Sequence, residues 1–250
     1  MKNEKLVIIP TYNELENIQD MVAAVMNLPG DFELLIIDDN SPDGTSQVVT
    51  KMQEAFPERL HLISRSGKLG LGTAYIEGFQ YALKHGYTYI FEMDADFSHN
   101  PNDLIRLYEA CAMQGFDMAV GSRYITGVNV VNWPMGRVLM SFFASKYVQF
   151  VTGMPIKDAT AGFKCYHRKV LEAIKLDRIK FIGYAFQIEM KFTAWKLGFA
   201  IIEVPIIFTD RTKGTSKMST HIFREAVFGV IYMKFLSLFR KYSPNQNVSL

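Results

Sequence analysis

The 250-residue chain is 49% hydrophobic, enough to fill one core with a small appendage, and it falls short of the usual two-domain range. A formal charge of +2 and a pI near 8.4 exclude the broad basic field that holds nucleic acid through its phosphates, so any anion recognition has to be local. The only cysteines, Cys111 and Cys165, have neither CxxC nor Cys/His spacing, which argues against a zinc site or a disulfide framework and for a reducing, cytoplasmic setting.

In chain order, KLVIIP is too short an apolar segment for a signal peptide before Pro10 breaks it, and it reads as a first strand. A helix is predicted near Leu15 to Met26, then the strand FELLIIDD and a helix near Thr45 to Phe56. LHLIS, a helix near Thr73 to His85, YTYIFEM, a helix from Asn102 to Gln114 and DMAVGS follow. Nearly continuous Ile/Val/Leu runs suit strands covered on both faces, so the alternation predicts an α/β fold of Rossmann type with a largely parallel sheet flanked by helices. The strands then share one C-terminal rim. Polar groups follow each run: Thr11, Tyr12, Asn13 and Glu14, then Asp38, Asp39 and Asn40, then Asp94 and Asp96, then Ser122 and Arg123. Ligands in such sheets bind at that rim.

Beyond Arg123, a polar loop leads to an amphipathic, aromatic helix over Arg137 to Val151, with Leu139, Met140, Phe143, Tyr147, Phe150 and Val151 on one face. A surface helix packed on the core and a membrane-interface helix are both open readings. DATAGFKCYHR (Asp158 to Arg168) leads to helical segments near Lys169 to Ile174 and Ala185 to Leu197, and to a further strand, AIIEVPIIF. Asp210 to Ser219, basic through Arg211, Lys213 and Lys217, reads as an anion-binding loop or as an ordinary solvated connection. A second aromatic helix spans His221 to Tyr242. Lys234 inside it and Arg224, Glu225, Arg240 and Lys241 around it argue against a bilayer span. Residues 1–219 are expected to form the catalytic domain, 220–242 an interfacial helix and 243–250 a disordered tail.

The chemistry centres on FEMDADFSHNP, where an apolar run ends in Asp94 and Asp96. A turn after the strand lets both approach one hard cation such as Mg2+ or Mn2+. Alternatively Asp94 ends the strand, and Asp96 or Ser98 caps the next helix. The first strand-to-helix turn, TYNELEN, has no glycine, and GKLGLGT matches neither the dinucleotide fingerprint nor the P-loop, so a nicotinamide dehydrogenase and a P-loop NTPase are set aside. A metal-capable pair with separate cations at Arg123, Arg211 and Lys217 suits transfer from a nucleotide diphosphate.

VIIPTYNELENI, IIDDNSPDGT, GKLGLGTAYIEGF, MDADFSHNP, VGSRY, DATAGFKCY and DRTKGTSKMS, in order from Pro10 to Ser219, together resemble the polyprenol (dolichyl) phosphate mannosyltransferases of glycosyltransferase family 2. The resemblance implies a GT-A fold, GDP-mannose as donor, Mg2+ or Mn2+, and inverting transfer to a polyprenyl monophosphate at a membrane surface. It assigns Pro10, Tyr12, Glu14, Ile37 and Asp39 to the nucleotide pocket, and Asp94, Ala95 and Asp96 to the donor diphosphate and metal. Arg123, Arg137, Arg211 and Lys217 fall to the donor or acceptor phosphates. Some family members have Gln at the Ser98 position as a further metal ligand, and some have C-terminal transmembrane helices. The expected setting is the cytoplasmic face of a membrane, alone, self-associated or with a small membrane subunit. The alternatives are UDP-glucose or a UDP-amino sugar as donor, and a non-catalytic membrane-associated subunit.

Overall fold

The computed structural model describes residues 4–211, 220–239 and 242. The first half builds as its apolar runs predict: β1 (Lys5–Thr11), α1 (Leu15–Met26), β2 (Glu33–Asp38), α2 (Thr45–Gln53), β3 (Leu60–Ser64), α3 (Leu71–His85), β4 (Tyr89–Glu92), α4 (Asp103–Ala112) and β5 (Met118–Ser122). The second half contributes β6 (Val130–Val131), α5 (Met135–Thr152), β7 (Lys164–His167), α6 (Arg168–Ala173), α7 (Tyr184–Lys196), β8 (Ile201–Pro205), β9 (Phe208–Thr209) and α8 (Thr220–Ser237).

The main sheet runs β3-β2-β1-β4-β7-β5-β8, and every pairing in it is parallel except those of β7, which is antiparallel to both neighbours. One face carries Ile18, Met21, Val22, Leu104 and Leu107 from α1 and α4; the other carries Tyr75, Phe79, Phe186 and Met190 from α3 and α7. Strands covered on both faces explain the unbroken burial of Leu6 to Ile9 and Leu34 to Ile37.

Two features depart from the sequence reading. KCYH within DATAGFKCYHR forms β7, and AIIEVPIIF divides at Pro205: β8 stays in the main sheet while β9 pairs with β6 in a two-stranded sheet. Ile206 N donates to Ser122 O, the last bond to the main sheet before the chain crosses over, and Phe208 N then donates to Asn129 O. Residues 212–219, with Lys213 and Lys217, and the 243–250 tail lie outside the described residues.

The outward faces of α5 and α8 are apolar. Phe143, Phe150, Phe228, Phe235, Leu238 and Phe239 are exposed, Phe150 at 91%, whereas Ser145, Val148 and Thr152 form the buried side of α5. Val148, Val230 and Met233 pack between the two helices, and Lys234 Nζ donates to Thr152 O at 3.0 Å. Leu139, Met140, Phe143 and Phe150 of the α5 stripe therefore look away from the core, whereas Tyr147 and Val151 pack against it.

The glycine cluster has a packing role. Gly70 (φ 101) admits the turn into α3, and Gly72 N donates to Ile182 O at 2.8 Å; a Cβ at Gly72 would lie 2.9 Å from both Phe181 O and the Phe186 ring. Neither neighbour is the flexible end of a side chain. Gly72→Ala is expected to destabilise the protein by about 1–3 kcal/mol, read as a lower urea midpoint at unchanged m-value; an unchanged midpoint would show that α3 and the 181–186 segment separate at little cost.

Candidate active site

From β1 the strand order proceeds outward to β2 and β3 on one side and to β4 on the other, the reversal that opens a crevice at the C-terminal rim. Asp38 fastens the tips together: Oδ1 accepts from Thr11 Oγ1 (2.9 Å) and Ser41 Oγ (2.6 Å), and Oδ2 accepts from Ser41 N (2.9 Å). Asn13 (φ 54) and Asn40 (φ 58) take the left-handed conformation that Asn tolerates better than most residues, and both chains turn sharply there. Pro10 is in register with Ile37, so Pro10, Tyr12, Glu14, Ile37 and Asp39 gather at two adjacent strand tips. Asp39 Oδ1 accepts from Arg65 Nη1 at 2.8 Å; burial raises the Asp39 carboxyl above the usual carboxylate range, with Arg65 opposing. Lys68 Nζ lies 4.8 Å from the centre of the Tyr12 ring.

Beyond β4 the chain turns at Phe97 (φ 58), and Ser98 N donates to Asp96 Oδ1 at 3.1 Å, an Asx-type turn that holds the second carboxylate. Asp96 is 7% exposed, whereas the Asp94 side chain keeps 42% of its exposure. Desolvation in the cleft, then repulsion from Asp96, raise Asp94 to about 7, with Arg211 opposing. The Arg211 Nη2 to Asp96 Oδ2 distance is 3.0 Å. Burial lowers His99 to about 4, so its imidazole is neutral, and Nδ1 accepts from Asp94 N at 3.4 Å.

The donor set suits a hard cation. Two carboxylates crowd each other, and Ser98 Oγ, in the same turn, is buried without a hydrogen-bond partner. No cluster of three or more His, Cys, Asp and Glu able to hold a metal occurs among the described residues. A cation here would thus draw on Asp94, Asp96 and the Ser98 hydroxyl, completed by water and substrate phosphate, the ligand pattern characteristic of Mg2+.

Two buried ion pairs, Glu92 with Lys164 and Asp158 with Arg123, and one half-buried pair, Asp210 with Arg137, belong to the same region. Glu92, fully buried, accepts from Tyr166 OH (2.7 Å) and Gln187 Nε2 (2.8 Å) and faces Lys164 Nζ at 3.0 Å; Lys164 also donates to Gln187 Oε1. Arg123 donates from N (2.9 Å), Nε (2.7 Å) and Nη2 (2.6 Å) to the Asp158 carboxylate, and from Nη2 to Thr160 Oγ1 (2.9 Å). Arg137 Nη1 meets Asp210 Oδ1 at 2.8 Å. Thr209 N donates to Ser98 O at 3.2 Å, so β9 brings Asp210 and Arg211 against the aspartate turn. The structure brings Asp94, Asp96 and Arg211 together; it places Arg123 and Arg137 on carboxylates of their own, and Lys217 lies outside the described residues.

Sequence reasoning missed Arg65, His99, Asp158 and Trp133. Arg65 stands one residue past β3, the one early strand tip not searched for polar groups, and its pairing with Asp39 was findable there. His99 lies inside the aspartate motif, and Asp158 opens DATAGFKCY. Asp158 pairs with a residue 35 positions away, so no local pattern announces it; Trp133 stands four positions before Arg137, whose Cζ lies 4.2 Å from its ring, a spacing the chain does display.

The family model described as glycosyl transferase family 2 matches residues 6–175. The chain is 46% identical over 225 residues to polyprenol monophosphomannose synthase of Mycolicibacterium smegmatis, covering 90% of this chain and 84% of that one. It is 42% identical over 225 residues to undecaprenyl-phosphate mannosyltransferase of Micrococcus luteus, covering 90% and 91%. Among solved structures, glucosyl-3-phosphoglycerate synthase of Mycobacterium tuberculosis with Mn2+, UDP and glucosyl-3-phosphoglycerate matches with a TM-score of 0.65 at 18% identity over 99% of this chain and 83% of that one. Mannosyltransferase PcManGT from Pyrobaculum calidifontis, in complex with GDP-Man and Mn2+, matches with a TM-score of 0.58 at 18% identity over 96% of this chain; this chain spans 65% of that one. At these identities the two structures establish a shared fold.

Burial alone would raise the Asp158 carboxyl, but the charge and hydrogen bonds of Arg123 outweigh it and hold it below the usual carboxylate range. A depressed folded value stabilises the protein above the unfolded value of about 4, and that stabilisation is lost as pH falls through the folded value. The urea midpoints of wild type and Asp158→Asn should therefore differ most near neutrality and converge below about pH 4; a gap that widens in acid would contradict an ionised Asp158.

Proposed function

The chain belongs to glycosyl transferase family 2, and on that premise we propose that it transfers mannose from GDP-mannose to a polyprenyl monophosphate, with inversion at the sugar and with Mg2+ or Mn2+. The observation that carries this reading is the 3.0 Å contact between Arg211 and Asp96, a guanidinium set against the carboxylates that would meet the metal and the donor diphosphate. The names of the relatives at 46% and 42% identity support it.

In this reading the nucleotide lies over the tips of β1 and β2, against Pro10, Tyr12, Glu14, Ile37 and Asp39, and its diphosphate points toward Asp94 and Asp96. A Mg2+ or Mn2+ held there, with Ser98 Oγ as a further ligand, would neutralise the charge that develops on departing GDP. An oxygen of the lipid phosphate attacks the anomeric carbon from the side opposite GDP, so the new C–O bond forms as the bond to GDP breaks and the configuration inverts. Phosphate monoesters lose their second proton at about 6, so the nucleophile is already anionic and needs no base. The surroundings agree: Asp158 is held by Arg123, Glu92 faces Lys164, and His99 spends Nδ1 on a backbone N–H. Arg211, Lys217, Arg123 and Arg137 supply the positive charge that lets two anions approach.

Alanine at Asp94 or Asp96 should reduce transfer from GDP-mannose to a prenyl phosphate to near background, and alanine at Arg211 or Lys217 should slow transfer more than it weakens GDP binding. Competition between GDP and UDP for the free enzyme decides the donor: displacement by UDP but not GDP would replace this reading with the UDP-sugar one, and normal turnover without Asp94 and Asp96 would remove the metal role.

The acceptor's hydrocarbon tail gives the exposed faces of α5 and α8 a use. No helix among the described residues is long and apolar enough to cross a membrane. Aromatic side chains facing outward from two packed helices suit insertion into the headgroup boundary. The purified protein should float with liposomes, and the double substitution Phe150→Glu, Phe235→Glu should keep it in the dense fractions; equal flotation of both would detach these helices from the membrane.

A further inference from the structure

Arg65 stands one residue past β3, and its side chain keeps only 4% of its exposure. Nη1 donates to Asp39 Oδ1 at 2.8 Å and Nη2 donates to Thr73 Oγ1 at 2.5 Å, whereas Nε lies 3.3 Å from Glu77 Oε2 without making a hydrogen bond. A buried donor left unsatisfied is a cost that native proteins rarely carry without a reason. This guanidinium is set for Asp39 and Thr73 at the expense of Nε. Thr73 lies in the first turn of α3, where its hydroxyl also reaches Gly70 O at 2.8 Å, so Arg65 is fixed from the helix behind the glycine cluster.

The other end of the contact is the tip of β2. Asp39 N donates to Thr11 O at 2.9 Å, Arg65 N donates to Asp38 O at 2.8 Å, and the chain turns at Asn40, so β1, β2 and β3 are laced together where Asp39 leaves the sheet. The charged groups around its carboxylate are Arg65, Lys68 and Asp38, with Glu77 reached through Arg65. A carboxylate has about four lone-pair sites; Arg65 and the Leu69 N–H occupy two of them. The rest serve as acceptors only while the group is ionised. Burial opposes ionisation and Asp38 adds to that opposition, and Arg65 is the largest influence acting the other way. Guanine presents N1–H and its 2-amino group on its pairing edge, and uracil presents N3–H, so a base read at this position needs an acceptor.

We infer that Arg65 is a positioning residue for the nucleotide: it fixes the Asp39 carboxylate as the acceptor that receives a ring N–H of the donor's base. This deepens the proposed function and rests on it for the place of the nucleotide over the tips of β1 and β2. Arg65 itself touches no substrate and acts through Asp39.

The test measures binding on the full chain with Mg2+ present, by calorimetry with GDP, UDP and inorganic pyrophosphate. Arg65→Gln removes the charge and Arg65→Lys keeps it. Arg65→Gln should bind GDP roughly 10-fold more weakly at neutral pH, the scale of a hydrogen bond to a charged group, with pyrophosphate affinity unchanged. Without the guanidinium, the Asp39 carboxyl rises further and takes up its proton earlier as pH falls. The ratio of wild-type to Arg65→Gln affinity, in which the titration of GDP itself cancels, should therefore grow from about pH 8 to about pH 6, and Arg65→Lys should restore the wild-type profile. A packing defect would act on every ligand at every pH. A flat ratio, identical profiles for Arg65→Gln and Arg65→Lys, or an equal loss of pyrophosphate binding overturns the inference. Asp39→Asn covers the case in which Arg65→Gln fails to fold: it removes the titrating group and leaves Arg65 an amide oxygen, and GDP affinity should fall by a similar factor while pyrophosphate affinity holds; unchanged GDP affinity overturns the inference. UDP binding in place of GDP with the same dependence on Arg65 supports the inference and removes the GDP-mannose reading. GDP binding indifferent to Arg65 keeps that reading and removes the inference, and no binding of either nucleotide removes both.

Discussion

A single buried pair, Lys164 against Glu92, sets the position of the strand end that leads into the aspartate turn. The two residues are register partners across β7 and β4, both without exposure, and Glu92 stands two positions before Asp94. A pair in that setting is a weak source of net stability, because two charges have left water to make it, but either member alone would leave an uncompensated charge in the core. Tyr166 and Gln187 complete the coordination of Glu92, so the end of β4 is held from β7 and from α7 together. The antiparallel strand thereby gives the aspartate turn a rigid base.

Above that base the charges are arranged in matched couples: Asp39 with Arg65, Asp158 with Arg123, Asp210 with Arg137, and Asp96 with Arg211. Each couple orients a cation or an anion toward the rim. Asp94 departs from the pattern, since burial and Asp96 both act against its ionisation. A carboxylate in that state gains most from an added positive charge, which is the electrostatic case for a divalent ion at this turn.

Much of the crevice was legible because a parallel sheet places all its strand tips on one side. Apolar runs ending in Thr11, Asp38 and Asp94 were enough to predict their convergence, and the alternation of runs and helices was enough for the architecture. β7 was not legible: KCYH is short, carries two polar residues and leads directly into α6, so its strand character comes from the neighbours on both sides. The division of AIIEVPIIF was also hidden, since its apolar composition is continuous while Pro205 and the crossover to β6 are matters of tertiary pairing. The partners of the site arginines were the largest omission. Asp158 and Asp210 lie 35 and 73 residues from the arginines they hold, and such pairings follow from the fold and not from any spacing in the chain. The apolar stripe on α5 was readable as a stripe, but its direction was set by which side the core accepted, and the core accepted Ser145, Val148 and Thr152.

The bond from Thr209 N to Ser98 O links two segments that would otherwise meet only through side chains. It ties the turn that carries Asp94 and Asp96 to the segment that carries Asp210 and Arg211. Arg211 meets Asp96 across the same gap, so the two sides of the crevice are joined through main chain as well as through charge, and parting them breaks both contacts together.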